Sequence, residues 1–222
     1  MPTRTLAVLA AVLTACVVSA AAEPSRQPRV LLIGDSIAGY YRPYVADFLK
    51  DRVNVDYSGN IGDTRNGLER IDGLIAKGPW DVIHFNWGLH DVKPVTGRRN
   101  NVPLEDYVKN LRELVKRMKA TKARLIFATT TPVGPRAARR NEDVVRYNAA
   151  ALEVMKEEKI AVDDLYAVAA PIREKIQHTD NVHFKPYYKH PEPENEDEKG
   201  SKILGKAVAE SIWEALKVGA KK

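Results

Sequence analysis

The fold of this chain is decided by residues 29–36, which read RVLLIGDS. Four apolar residues in a row are typical of a strand that is buried on both faces of a sheet. Gly34 then permits a sharp turn, because glycine has no Cβ to restrict the backbone. We therefore expect Ser36 to lie at the carboxyl edge of a sheet, at the point where a helix is about to begin.

Beyond this strand, apolar runs and helical patterns alternate along the chain. Strands that alternate with helices form parallel sheets covered on both faces, so the pattern predicts an α/β fold. Ligands of such sheets bind beyond the carboxyl ends of the strands, which is where we look for chemistry. The predicted strands are 29–33, 53–57, 81–87, 124–129 and 160–163, and the predicted helices are about 43–50, 64–77, 104–119, 142–158 and 201–217.

Two of these helices carry specific expectations. The first helix is predicted to start at Pro43, since proline suits the first turn of a helix. In helix 142–158, the spacing predicts that Val144, Val145 and Met155 face the core. A histidine inside the third strand, His84, is predicted to be a hydrogen-bonded core residue.

The N-terminus has the features of a secretory signal peptide. Arg4 precedes an apolar stretch at 6–18, and three alanines at 20–22 provide a cleavage site. We therefore predict an exported protein whose residues 1–22 are removed. An alternative is that Cys16, which follows Leu-Thr-Ala, is the anchor of a bacterial lipoprotein.

Length and charge bound the remaining possibilities. The chain has 222 residues, of which 44% are hydrophobic and 29% charged, so residues 23–222 are predicted to form a single globular domain. The net charge is +6, but the one basic cluster is Arg136, Arg139 and Arg140, with no aromatic residues interleaved. This composition favours a solvated loop over a nucleic-acid surface. No later segment is apolar enough to predict a membrane span.

Four short motifs carry candidate chemistry. They are Gly34-Asp35-Ser36, the glycine block at 59–64, Asn86-Trp87-Gly88-Leu89-His90-Asp91, and Thr179-Asp180-Asn181-Val182-His183-Phe184. A serine at the start of a helix is either a candidate nucleophile or only the N-cap of that helix. A glycine-containing turn can hold an oxyanion with its backbone N–H groups, or it is only a loop. An aspartate three residues before a histidine can accept the imidazole Nδ1–H and leave Nε2 free to take a serine proton. Taken singly, each motif favours a structural role.

Taken together, the order and placement of these motifs resemble the SGNH (GDSL-type) hydrolase family, over residues 30–216. The resemblance implies a three-layer α/β/α sandwich around a mostly parallel, five-stranded, flavodoxin-like sheet. It also implies a serine esterase that works through an acyl-enzyme, without a cofactor. The spacing of the histidines and carboxylates matches no common zinc pattern, so we predict no metal.

The resemblance assigns roles position by position. Ser36 matches the nucleophile, and its backbone N–H matches one oxyanion donor. Gly62 matches the second donor. His183 matches the general base and Asp180 the carboxylate that orients it.

The third oxyanion donor is where this sequence departs from the family. The family's asparagine falls on His90, whose neutral imidazole also has one N–H to donate. An alternative is that Asn86 helps instead. A smaller departure is Asn181, which stands where glycine is common; asparagine is the next most tolerant residue of a left-handed backbone.

The substrate is predicted from the residues around these motifs. Asp35, Asn86, Trp87 and Tyr187 are candidate substrate contacts, with the two aromatic rings as flat surfaces for a sugar. The alternative is that Trp87 packs in the core and Tyr187 anchors a loop. An acidic, proline-rich stretch at 186–199 is expected to rim the site.

Three functions therefore remain open. The first is an exported esterase of short acyl groups, acetyl above all, acting on a small molecule or a polysaccharide. The second is a lysophospholipase or acyl thioesterase. The third is a polysaccharide-binding protein on the same scaffold, without catalysis.

Overall fold

The computed structural model of the protein describes residues 26–186 and 195–219. The predicted signal peptide, Cys16 and Tyr187 lie outside these ranges, so the predictions about them stay predictions. Within these ranges, no helix has both the length and the apolar character required to cross a bilayer.

A five-stranded parallel sheet forms the centre of the molecule, with strand order β2-β1-β3-β4-β5. The predicted fold is therefore confirmed. Strand β1 lies inside the sheet, between β2 and β3, and its residues 30–33 are at most 2% exposed, as the apolar run predicts. The strands are β1 Arg29–Gly34, β2 Asn54–Asn60, β3 Val82–Phe85, β4 Arg124–Ala128 and β5 Ala161–Asp163.

Helices cover both faces of the sheet. Helices α1 and α7 pack together on one face, while α2, α3 and α4 pack side by side on the other. The helices are α1 Ser36–Phe48, α2 Thr64–Ile75, α3 Leu104–Lys119, α4 Asn141–Glu158, α5 Leu165–Ala169, α6 Arg173–Ile176 and α7 Gly200–Gly219. The predicted α3 has the observed bounds, and α2, α4 and α7 differ from prediction by a few residues at their ends.

The predicted start of the first helix is wrong. Helix α1 begins at Ser36, because the Asp35 carboxylate accepts a hydrogen bond from the Ile37 N–H at 2.8 Å and caps the helix. Pro43 lies inside the helix, on an exposed position. A local cap therefore outweighs the preference of proline for a first turn.

The predicted inward face of α4 is wrong at one position. Val145 is 47% exposed, whereas Val144 and Met155 are buried as predicted. The buried stripe also contains Tyr147 and Ala151, and Val145 lies about 100° away from Val144 around the helix. The short helices α5 and α6, which lead the chain from β5 to the fourth motif, were not predicted from the sequence.

Candidate active site

Ser36 is the first residue of α1 and lies just beyond the carboxyl end of β1. The turn is tight, since a Cβ on Gly34 would lie 2.6 Å from the Ala38 Cβ. Only glycine fits that separation, so the motif's first position is fixed by packing. The hydroxyl is thereby held at the edge of the sheet, as predicted.

The structure brings Ser36, His183 and Asp180 together. The Ser36 Oγ and His183 Nε2 atoms are 2.8 Å apart, although the residues are separated by 147 positions. The His183 Nδ1 and Asp180 Oδ2 atoms are 2.6 Å apart. This is the arrangement in which an imidazole can take a proton from a serine hydroxyl.

Hydrogen bonds to the Asp180 carboxylate keep it ionised near neutral pH. Burial alone would raise its pKa, but hydrogen bonds from the ring and backbone of His183 and from the Val182 N–H outweigh it and lower the pKa to about 2. An ionised Asp180 accepts the Nδ1–H of His183. The lone pair of Nε2 is then directed at the Ser36 hydroxyl.

The loop that carries the histidine is fixed by short-range contacts. The His178 N–H donates to the His183 carbonyl at 2.8 Å, and the Asn181 N–H donates to the His178 carbonyl at 3.0 Å. Asn181 has φ of 60°, the left-handed conformation to which asparagine is suited. Its side chain packs on Gly134, where a Cβ would lie only 2.2 Å from Asn181 Oδ1. The position of His183 therefore depends on glycine at 134.

The two backbone N–H groups predicted to bind an oxyanion, those of Ser36 and Gly62, differ in whether they already make a hydrogen bond. The Ser36 N–H makes no hydrogen bond among the described residues, as expected in the first turn of a helix. The Gly62 N–H, in contrast, donates to the Asn60 Oδ1 at 3.0 Å. Asn60 is exposed, so its side chain must turn aside before Gly62 donates to a substrate.

His90, the predicted third donor, is half-buried. Burial lowers its pKa, as do the charges of Arg139 and Lys93, while Asp35 acts in the opposite direction. The ring is therefore neutral near pH 7, with one N–H, and it forms no hydrogen bond within the described part of the chain. The alternative donor is disfavoured, since the Asn86 amide donates to the Ala128 carbonyl at 2.8 Å and to Thr130 Oγ1 at 3.2 Å.

Asp91 is a buried link within the candidate site that was not singled out from the sequence. Its Oδ1 accepts hydrogen bonds from the N–H and the hydroxyl of Thr64, at 3.0 and 2.6 Å. It thereby joins the loop after β3, which carries His90, to the start of α2, which follows Gly62. Burial raises the pKa of Asp91 to about 7, although the hydrogen bonds from Thr64 act in the opposite direction. Its place directly after His90 in the third motif was the available signal.

The predicted substrate contacts are largely structural. Trp87 is 1% exposed and its ring packs against Gly67, so the prediction that it stacks on a sugar is wrong and the core alternative is confirmed. Asp35 is buried and caps α1, and Asn86 bonds to β4 and its following loop. No cluster of three or more potential metal-ligating side chains is present in the described ranges.

Comparison with known proteins places these observations in a family. The model of the GDSL-like lipase/acylhydrolase family matches residues 32–187. A GDSL esterase/lipase of rice, Oryza sativa subsp. japonica, is 27% identical over 166 residues, covering 63% of this chain and 64% of the relative. This chain thus spans just under two thirds of that relative's length.

Solved structures share the fold. A lipase/acylhydrolase from Enterococcus faecalis has a TM-score of 0.69 and 19% identity, over 84% of this chain and 95% of that one. An acetylxylan esterase from Geobacillus stearothermophilus has a TM-score of 0.68 and 19% identity, over 83% of this chain and 94% of that one. At these identities, the similarity is one of architecture.

Proposed function

Because this chain belongs to the GDSL-like lipase/acylhydrolase family, we propose that it is an exported serine esterase that removes short acyl groups, acetyl above all, from carbohydrate. The observation that carries this proposal is the hydrogen-bonded chain from Asp180 through His183 to Ser36. The acetylxylan esterases among proteins of the same fold support the choice of substrate class. The N-terminal features of residues 1–22 support export.

The first half of the reaction follows from the direction of these hydrogen bonds. His183 Nε2 takes the hydroxyl proton as Ser36 Oγ attacks the ester carbonyl. Asp180, ionised throughout, stabilises the imidazolium that forms. The imidazolium then gives its proton to the leaving alcohol, which leaves an acyl group on Ser36.

The second half repeats these steps with water. Water attacks the acyl-enzyme while His183 takes its proton, and the proton then returns to Ser36 Oγ as the carboxylic acid leaves. In both halves the carbonyl oxygen becomes an oxyanion. The Ser36 N–H is the donor that needs no rearrangement, and the His90 N–H and Gly62 N–H complete the set. Loss of one such donor costs on the order of 100- to 1,000-fold in rate.

A series of p-nitrophenyl esters from acetate to decanoate tests the proposal. We expect the highest kcat/KM with acetate, and we expect Ser36→Ala to abolish turnover. Ser211→Ala, a half-exposed serine of α7, is the matched control and should retain full activity. Turnover that rises with chain length would favour a lysophospholipase or thioesterase. Polysaccharide binding without turnover of any ester would favour the binding protein.

A further inference from the structure

Arg139 is a cation beside the candidate active site that the proposed chemistry does not use. Its Nε donates to the Leu89 carbonyl at 2.8 Å, one residue before His90. Its charge acts on His90, and the charges of Asp35 and Asp180 act on it in turn. The guanidinium therefore lies within electrostatic reach of residues next to the nucleophile and of the carboxylate behind the base.

The charge of Arg139 has no partner at ion-pair distance. The side chain is half-buried, and burial lowers its pKa. Nevertheless, no carboxylate of the described residues lies within 4.0 Å of it. A partly desolvated cation without a counter-ion costs free energy, so the site is poised to accept an anion. With Nε committed to Leu89, the terminal N–H groups remain to bind it.

The surroundings extend the positive charge beyond one residue. Arg136 and Arg140, on the same loop, also lack a carboxylate partner among the described residues. Two grooves flank the loop, with volumes of about 430 and 620 Å³, and they share Pro135 and Arg173. The first groove is also lined by His178 and Asn181, from the loop that carries His183. Cationic side chains outnumber the carboxylates Glu142 and Glu174 in these grooves, so a net positive surface adjoins the loop that carries His183.

We propose that Arg139, assisted by Arg136 and Arg140, forms an anion subsite, so that the ester cleaved at Ser36 belongs to an acidic polysaccharide with uronate carboxylates. This inference rests on the proposed esterase function. The planar guanidinium matches a carboxylate with two parallel hydrogen bonds, which fixes orientation as well as charge. A carboxylate held at Arg139 would align the neighbouring acylated sugar on Ser36.

Nucleic acid is the other anionic polymer that a basic surface binds. The loop at 133–140 contains no aromatic side chain on which bases stack, whereas single-strand binding surfaces combine both. We therefore argue for the acidic glycan. An oligonucleotide serves as a competitor in the test.

The experiment compares one acetylated oligogalacturonate with its methyl-esterified form, in which methyl groups cap the carboxylates and remove their negative charges. Release of acetate is measured, so that loss of the methyl groups is not counted. We expect kcat/KM to be about 10- to 100-fold higher for the acidic form. The ratio of the two values is the readout, because damage to folding affects both substrates equally. Added salt should lower the ratio, since it screens the attraction.

Three variants locate the effect. Arg139→Gln should bring the ratio close to one. Arg139→Lys keeps the positive charge but cannot form two parallel hydrogen bonds to a carboxylate, so its ratio should lie between one and the wild-type value. Arg112→Gln is the matched control, since this exposed arginine of α3 pairs with Glu157 and is absent from both grooves. Its ratio should equal that of the wild type.

The outcomes separate this inference from the esterase proposal. A ratio of one in the wild type, or an unchanged ratio in Arg139→Gln, overturns the anion subsite while ester hydrolysis stands. An oligonucleotide of equal charge that inhibits more strongly than unacetylated oligogalacturonate, with this inhibition lost in Arg139→Gln, would assign the subsite to nucleic acid and overturn the acidic glycan. If no ester is hydrolysed, calorimetry with unacetylated oligogalacturonate decides. Binding that is lost in Arg139→Gln then supports the subsite and refutes the esterase.

Discussion

Two histidine–aspartate pairs lie in very different surroundings in this molecule. His84 Nε2 and Asp163 Oδ2 are 2.8 Å apart, with side chains 0% and 7% exposed. His183 Nδ1 and Asp180 Oδ2 are 2.6 Å apart, with side chains 15% and 33% exposed. The chemical groups are the same, so composition alone does not distinguish a catalyst from a core contact.

The difference lies in what the second ring nitrogen can reach. In His183 the aspartate holds Nδ1, and Nε2 points at the Ser36 hydroxyl at the edge of the sheet. In His84 the aspartate holds Nε2, and Nδ1 is buried without a partner among the described residues. The prediction that His84 is a hydrogen-bonded core residue is thus confirmed. The comparison teaches that a relay requires a hydroxyl and an opening to solvent beside the imidazole.

The largest expected effect comes from removing His183. His183→Ala should lower kcat by roughly 10⁵- to 10⁶-fold, because no other group takes the Ser36 proton. Its melting temperature should fall much less than that of His84→Ala, since the His183 side chain is 15% exposed and that of His84 is 0% exposed. Kinetics with p-nitrophenyl acetate and a thermal melt measure both. Retention of more than a few per cent of kcat would refute the role of His183.

The two aspartates provide the next contrast. Asp180→Asn should lower kcat by roughly 10³- to 10⁴-fold, because an amide no longer fixes the tautomer or stabilises the imidazolium. Asp163→Asn should leave kcat per folded molecule unchanged. The assay is the same ester hydrolysis, corrected for the folded fraction by circular dichroism. Equal losses in the two variants would contradict the distinction between the pairs.

A third histidine sharpens the comparison, since His90 is half-buried and has no carboxylate partner within 4.0 Å in the described ranges. His90→Ala should lower kcat by about 100- to 1,000-fold through loss of an oxyanion donor. His90→Asn introduces the carboxamide that the SGNH resemblance implies at this position, and it should recover most of that loss. An alanine variant as active as the wild type would show that the ring is only a surface group.

Disruption of the buried pair, His84 and Asp163, should lower the stability of the protein without changing the activity of the folded molecules. His84→Ala should lower the free energy of unfolding by about 3 kcal/mol, because it leaves Asp163 buried without its partner and opens a cavity. Urea unfolding measures the change, and kcat of the folded fraction should be that of the wild type. Lost activity at unchanged stability would reverse the assignment of the two pairs.

The smallest expected effect is a dependence on pH from Asp91. Its pKa is about 7 in the folded protein against 3.8 for the ordinary group, so the folded state holds a proton that the unfolded state has released. The proton bound to Asp91 stabilises the folded state at low pH, and this stabilisation is therefore lost as pH rises from about 4 to 7. Asp91→Asn keeps an oxygen for Thr64 and cannot ionise. The melting temperature of Asp91→Asn minus that of the wild type should therefore be larger at pH 8 than at pH 5. A difference in melting temperature that is the same at both pH values would contradict the raised pKa.

Much of the molecule follows from its sequence alone. The apolar runs predict all five strands, and the amphipathic pattern gives α3 its observed bounds, because both periodicities are local properties of the chain. Three of the four motifs were likewise predicted to lie where parallel strands end, and the fourth before the last helix. Their order resembles that of the SGNH family, and this resemblance names Ser36, Asp180, His183 and His90 before any distance is known.

Only the tertiary structure decided which of these residues meet and which of their atoms are available. The approach of Ser36 and His183 depends on the packing of Asn181 against Gly134, and Gly134 is far from both Ser36 and His183 in sequence. The burial of Trp87 and the position of Arg139 beside the site depend in the same way on contacts between distant segments. Local periodicity carries no information about such contacts, because they arise only when the helices and loops close over the sheet.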